Sequence, residues 1–177
     1  MELFEKTIAS DMKFEGKILS LRVDTVTLPD GRETKREIIG HHGGVGIVAV
    51  TDENEIILVR QFRAGTHDVT LEIPAGKLEK GENPLECGKR ELMEETGYTA
   101  EGFEELTAFY GSPAILEEKI HVYLAKGLKA GVSHPDPGEF VEIVKMPFGD
   151  AKKLALSGKL NDAKTIIGIL LASEYLK

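Results

Sequence analysis

Glu91, Glu94 and Glu95 follow Arg90 in a segment, Pro84 to Thr96, that reads as a helix. At about 100° per residue, Glu91 and Glu95 lie about 40° apart around the axis, and Glu94 about 60° away on the other side of Glu91. Three carboxylates on one stripe repel one another; like charges at i,i+4 cost about 0.2–0.5 kcal/mol even when exposed. A hard divalent cation such as Mg²⁺, which takes oxygen ligands, makes such a cluster tolerable. An acidic helix face is ordinarily solvated surface. Here two features argue otherwise. The acids crowd the C-terminal half, where the helix dipole disfavours them, and a glycine-bearing loop from Gly76 to Glu82 precedes them.

The flanking residues delimit that helix. Asn83 suits the N-cap, Pro84 the first helical position, Glu86 the acid of a capping box and Gly97 a left-handed C-terminal residue. Leu85, Gly88, Leu92 and Thr96 fall on the opposing arc and should pack on a sheet. Strands are expected at 47–50 and 56–62, joined by the acidic turn Asp52-Glu53-Asn54; their near-continuous apolar runs suit strands buried on both faces. A shorter strand at 69–73 should stop at Pro74 and Gly76. Further strands are expected at 103–109, 121–125 and 141–146, and closing helices at 149–156 and 163–175. Upstream, 18–28 and 35–39 flank the turn Pro29-Asp30-Gly31, which predicts a small antiparallel sheet. Gly43-Gly44-Val45-Gly46 reads as a plain turn, because no Lys-Ser/Thr follows to make a phosphate loop. The expected division is 1–43, the N-terminal sheet, and 44–177.

Bulk properties narrow the partners. A chain of 177 residues supports a single core without disulfides or a structural metal. A net charge of −8 disfavours a nucleic-acid backbone as partner. Phosphate chemistry stays open wherever divalent cations neutralise the site. Cys87 is the single cysteine, so no intrachain disulfide forms. Residues 1–10 lack the apolar run of a signal peptide, and 166–172 is too short to span a bilayer, so no membrane and a cytoplasmic location are expected. The five histidines, at 41, 42, 67, 121 and 134, show no zinc-ligand spacing with Cys87.

Gly76 to Tyr98 resembles a complete Nudix box: glycine, five residues, glutamate, seven residues, then Arg-Glu-aliphatic-x-Glu-Glu-x-Gly. Tyr98 departs from the pattern, standing where an aliphatic residue is usual. The resemblance implies a metal-dependent hydrolase that cleaves the pyrophosphate bond of a nucleoside diphosphate linked to another moiety. It implies an α/β/α sandwich with a mixed sheet, here with the small N-terminal antiparallel sheet added. By the same resemblance Glu91 and Glu95 are metal ligands, Glu94 contributes directly or through water, and the Ala75 carbonyl is a further ligand. Glu82 and Arg90 orient the site, Arg90 through charge-assisted hydrogen bonds. Mg²⁺ is the expected cofactor, with Mn²⁺ a plausible substitute.

Residues outside the box are more selective. Val59-Arg-Gln-Phe-Arg63, Leu71-Glu-Ile-Pro-Ala-Gly76 and Pro113, sixteen positions after Gly97, resemble the ADP-ribose pyrophosphatase subfamily. That likeness implies ADP-ribose as substrate, AMP and ribose 5-phosphate as products, and a homodimer built through the N-terminal sheet. Arg36, Glu37, Arg63, Glu72 and Pro113 are the implied substrate contacts. Arg63 is favoured over Arg60, which alternation turns to the other face. After Pro113 the family's glycine and aromatic are replaced by Ala114-Ile115-Leu116. Ungapped alignment then puts Glu118 on the loop carboxylate that acts as base, with Glu117 beside it as the other candidate. Two rivals stand beside this reading. One is a GDP-mannose or other nucleotide-sugar pyrophosphatase. The other is a non-catalytic ligand-sensing Nudix module, which would carry a degraded box and a DNA-binding appendage, neither of which is present in this sequence.

Overall fold

A computed structural model describes residues 3–134 and 138–176. Met1 and Glu2, at the start of the expected 1–43 sheet, and Lys177, at the end of 44–177, lie outside the described residues. The chain forms two compact units, Met1–Gly43 with Tyr110–Lys119, and Gly44–Phe109 with Ile120–Lys177.

The first unit is an antiparallel sheet of β1 (Lys6–Glu15), β2 (Ser20–Thr27) and β3 (Glu33–Gly40), in that order. Leu28 and Gly31 close the β2–β3 turn through a 2.9 Å hydrogen bond from the Gly31 N–H, and Gly31 takes φ 86°. β1 adds a strand to the expected hairpin. Its alternation is broken by register shifts between Thr7 and Ala9 and between Met12 and Phe14, so the two-residue period is hard to see in the sequence. The 110–119 segment runs along β3: Ile39 donates to the Ile115 carbonyl at 2.7 Å, and Glu117 donates back to the Ile39 carbonyl at 3.0 Å.

The second unit is built on a seven-stranded mixed sheet. Its main path is β10 (Val141–Pro147), β5 (Glu55–Arg63), β4 (Gly44–Val50), β9 (Lys119–Ala130) and β8 (Tyr98–Tyr110). β6 (Asp68–Glu72) pairs with β5, and β7 (Ala75–Lys77) with β4. β4 and β9 are parallel, and the pairings of β5 with β4, β6 and β10 are antiparallel. Along β4, Val45, Ile47 and Ala49 join the apolar cluster that holds Leu92 and Cys87. Val48 and Val50 join the opposite cluster with Phe148, Ala151, Ile169 and Ala172. Strict alternation between two cores explains the unbroken apolar run. One face carries α1 (Pro84–Thr96), the other α2 (Phe148–Leu156) and α3 (Ala163–Tyr175), which makes the α/β/α sandwich.

Two local expectations are corrected. Gly44, Val45 and Gly46 are not a turn but the start of β4, paired with β7 on one side and β9 on the other. Only Gly43 in that run takes a positive φ, 96°. Likewise the chain does not stop pairing at Pro74. Proline has no N–H for the ladder, so the strand leaves β5 there and pairs again with β4 through Ala75–Lys77.

Candidate active site

The box helix α1 begins and ends as its flanks dictate. The Asn83 side chain accepts from the Leu85 N–H at 2.9 Å and from the Glu86 N–H at 3.4 Å. Gly97 closes the helix at φ 75°, its N–H bonding back to the Met93 carbonyl at 2.8 Å. Glu86 does not complete the capping box; its carboxylate accepts from Lys89 instead. Leu92, Thr96, Gly88 and Cys87 are buried on the sheet side. Truncating Leu92 to alanine would cost about 2–5 kcal/mol, so packing fixes the helix's rotation and with it the acidic stripe. The buried Cys87 thiol is pushed up to about 12, chiefly by burial, which makes it inert.

On the opposite side Arg90 gathers the acids. Its guanidinium donates to Glu91 at 2.8 Å, to Glu94 at 2.9 Å and to both oxygens of Glu82 at 3.2 and 3.3 Å. Glu82 also accepts from the Glu79 N–H at 2.8 Å, which ties the preceding loop. Gly76 lies flat against Glu91: a Cβ there would stand 1.8 Å from the carboxylate, so no larger residue fits without displacing the acid. Glu95 is 4% exposed and accepts from the Ala75 N–H at 3.0 Å. Burial, reinforced by the charges of Glu91 and Glu139, pushes its carboxyl up to about 8 against the pull of that N–H. Burial likewise raises Glu91, although Arg90 works against it.

The expectation of a converged ligand set is modified in one respect. Among the described residues, no three His, Cys, Asp or Glu side chains stand together at cation-ligating distance. Arg90 draws Glu91 and Glu94 towards itself, while Glu95 turns to Ala75. The donors nevertheless suit a hard divalent ion. They are carboxylate oxygens on one helix face, one of them buried with a raised proton affinity that a neighbouring cation would reverse.

Next to these acids, Arg63 and Glu72 form a bidentate pair at 2.8 and 2.7 Å. Glu72 is 2% exposed and is also held by Lys164 and the Thr70 hydroxyl. Burial alone would raise its carboxyl, but Arg63 and Lys164 outweigh it and hold it at about 2. The charge of Glu95 acts on Arg63 in turn. Arg60 instead faces Glu142 at 3.5 Å.

Glu139, just before β10, is a residue that the sequence reading missed. Its charge raises both Glu91 and Glu95. No motif marks it, because it sits in a Gly-Glu-Phe loop separated from the box by two strands.

The other expected contacts belong to the first unit. Arg36 is paired with Glu5 at 3.0 and 2.7 Å, and lines a cavity of about 270 Å³ with Thr7, Asp24, Ile38 and Pro113. Glu37, one position on, is exposed and is not among the residues lining that cavity. Glu117 takes a bidentate pair from Arg22 at 2.9 and 2.6 Å, and Arg22 holds its carboxyl below the usual range. Glu118 is free of that clamp and stands 3.4 Å from His41 Nδ1.

Comparison with known proteins agrees with this geometry. The NUDIX domain model matches residues 40–166, and the nucleoside diphosphate sugar hydrolase N-terminal domain matches 5–39. The chain is 48% identical to an ADP-ribose pyrophosphatase of Bacillus subtilis (strain 168), covering 99% of this chain and 94% of that one. It is 43% identical to a methanol dehydrogenase activator of Bacillus methanolicus, covering 98% and 96%. A crystal structure of an ADP compounds hydrolase superposes with a TM-score of 0.86 at 21% identity, covering 99% and 96%, which shows a shared fold. With its box intact on a packed helix and its model match spanning most of the chain, this protein belongs to the Nudix hydrolase family.

Proposed function

We propose that this protein hydrolyses the pyrophosphate bond of ADP-ribose, giving AMP and ribose 5-phosphate, with Mg²⁺ or Mn²⁺ as cofactor. The substrate is supported by the 48% identity to an ADP-ribose pyrophosphatase over 99% of the chain. The metal-dependent step is supported by Glu95, a buried carboxylate that accepts from the Ala75 N–H and, among the described residues, has no cationic side chain hydrogen-bonded to it. Glu91, Glu94, Glu95 and the Ala75 carbonyl would hold the ion. When bound, the ion neutralises the diphosphate and activates water for attack at phosphorus. Arg90 and Glu82 set the resting positions of Glu91 and Glu94. Arg63, aligned by Glu72, offers its planar fork to a phosphate. Arg36, Glu37 and Pro113 of the first unit are proposed as substrate contacts on the resemblance to the subfamily alone.

The water loses its proton to a loop carboxylate. The sequence puts Glu118 there and Glu117 beside it; the Arg22 clamp favours Glu118 of that pair. The electrostatic reach of Glu139 to Glu91 and Glu95 favours Glu139 as the base. We assign it to Glu139, with Glu118 as the second reading, favoured by its place beside His41. The 1–43 segment, as a dimerisation unit, would pair two copies through the apolar side chains exposed on β1, Ile8, Met12 and Phe14. A monomeric mass in solution would refute that arrangement. Among the described residues no helix is long and apolar enough to cross a membrane, and a cytoplasmic location is part of the proposal.

A substrate panel with Mg²⁺ and Mn²⁺ tests the assignment. ADP-ribose should be cleaved with the highest kcat/KM, ahead of GDP-mannose and dinucleoside diphosphates. Preferential turnover of GDP-mannose would move the protein to the nucleotide-sugar reading, and no turnover of any member would support a sensing role.

A further inference from the structure

The stretch from Glu72 to Gly76 joins β6 to β7 and carries the Ala75 carbonyl. It crosses from one strand partner to another, so its peptide groups need partners outside the ladders. Three of them find partners on three different elements. The Pro74 carbonyl accepts from the Ile47 N–H of β4 at 2.8 Å, and the Ala75 N–H donates to Glu95 of α1 at 3.0 Å. The Ile73 N–H donates to Thr165 Oγ1 of α3 at 2.9 Å, across 92 positions of sequence.

Thr165 is well prepared to accept. It is fully buried, and its hydroxyl donates to Asp162 Oδ2 at 2.5 Å. With the proton committed to Asp162, a lone pair of the oxygen is left for Ile73. Asp162 is also the N-cap of α3, accepting the Thr165 N–H at 3.0 Å, so the hydroxyl's rotation is tied to the start of the helix. The adjacent Lys164 binds Asp162 at 3.0 Å and holds Glu72, the first residue of the same stretch.

We infer that Thr165, oriented by Asp162, is a positioning residue for cation binding: it sets the height of the 73–75 backbone and thereby the Ala75 carbonyl against Glu95. The inference rests on the proposed ligand role of Ala75 and Glu95. Loss of the hydroxyl frees Ile73 N–H, and the peptide that follows is then held at one end only. Partners behind a ligand change metal affinity by about 10–100-fold when removed.

The test is calorimetric titration of Mn²⁺ into wild type, Thr165→Val, Thr165→Ser and Glu95→Gln, with kcat and KM for ADP-ribose measured on each. Thr165→Val should weaken Mn²⁺ by about tenfold or more and lower kcat at fixed metal, with KM for substrate nearly unchanged at saturating metal. Thr165→Ser should restore both, since it returns the oxygen without the methyl. Unchanged Mn²⁺ affinity in folded Thr165→Val, while Glu95→Gln loses it, overturns the inference alone. Unchanged affinity in Glu95→Gln overturns the underlying site reading instead. Should Thr165→Val not fold, amide hydrogen exchange on the wild type decides. The Ile73 and Ala75 amides should slow together when Mg²⁺ is added; an Ile73 amide indifferent to Mg²⁺ overturns the inference.

Discussion

Glu72 at the end of β6 and Glu95 near the end of α1 are both almost completely buried, at 2% and 4% exposure, yet their carboxyls move in opposite directions. Glu72 is built into a cage of two cations and a hydroxyl, and is held at about 2. Glu95 meets a backbone N–H and two like charges, and is raised to about 8. A buried carboxylate with its cation already present is structure; one without such a partner is a candidate for a cation from solution. On the proposed reading the same core therefore contains a finished ion pair and an unfinished one, with the charge of Glu95 acting on Arg63 of the first.

Breaking the unfinished site should have the largest effect on turnover. Glu95→Gln removes several kcal/mol of transition-state stabilisation and should lower kcat by about a thousandfold. The variant should stay folded. Without metal it should even be more stable than wild type above neutral pH, because the wild-type carboxyl pays a burial cost on ionising. The sign follows from the shift: a carboxyl raised from 4.5 to about 8 on folding loses stability as pH rises through that window. Melting curves at pH 6 and 8, with and without Mg²⁺, check this.

Glu72→Gln should do the reverse, costing about 3–5 kcal/mol of stability by leaving Arg63 and Lys164 without their buried partner. For wild type, this carboxyl is lowered from 4.5 to about 2. Its contribution is therefore complete above about pH 4.5 and is lost as pH falls towards 2. Urea unfolding at pH 7 and pH 3 should show the gap between wild type and variant narrowing in acid. A gap independent of pH would mean that the pair is not what holds the residue down.

A smaller effect separates the two loop acids. Replacing the base by glutamine should lower kcat by about a hundredfold while leaving Mn²⁺ binding nearly intact. Glu139→Gln should show this loss, and Glu118→Gln should fall much less; the opposite ranking would return the role to the 110–119 segment. The mildest change is Arg90→Lys, which cannot hold Glu82, Glu91 and Glu94 together with one ammonium group. It should raise the metal concentration needed for half-maximal activity by about tenfold.

The box helix was legible to its last residue because its signals are local: Asn83, Pro84 and Gly97 act on their immediate neighbours, and the apolar arc needs only the helical period. The two-faced strands β4 and β5 were legible for a similar reason, as unbroken apolar runs. What the sequence concealed depends on distant partners. β7 exists because Gly44–Gly46 of β4 pairs with it after Pro74 breaks the previous ladder. Glu139 matters through its effect on Glu91 and Glu95, and Thr165 through a hydrogen bond to Ile73. Alignment ranks Glu118 ahead of its neighbour Glu117 without a physical reason, and the structure supplies one difference between them: Arg22 pairs with Glu117, while Glu118 stands beside His41.

The central contention is that the α1 carboxylates seat the divalent ion on which hydrolysis depends. Mn²⁺ titrated into wild type and Glu95→Gln at pH 7.5 addresses it most directly. Wild type should give a saturable isotherm with proton release as Glu95 ionises, and Glu95→Gln should bind far more weakly and without that release. Equal binding by the two proteins would contradict it.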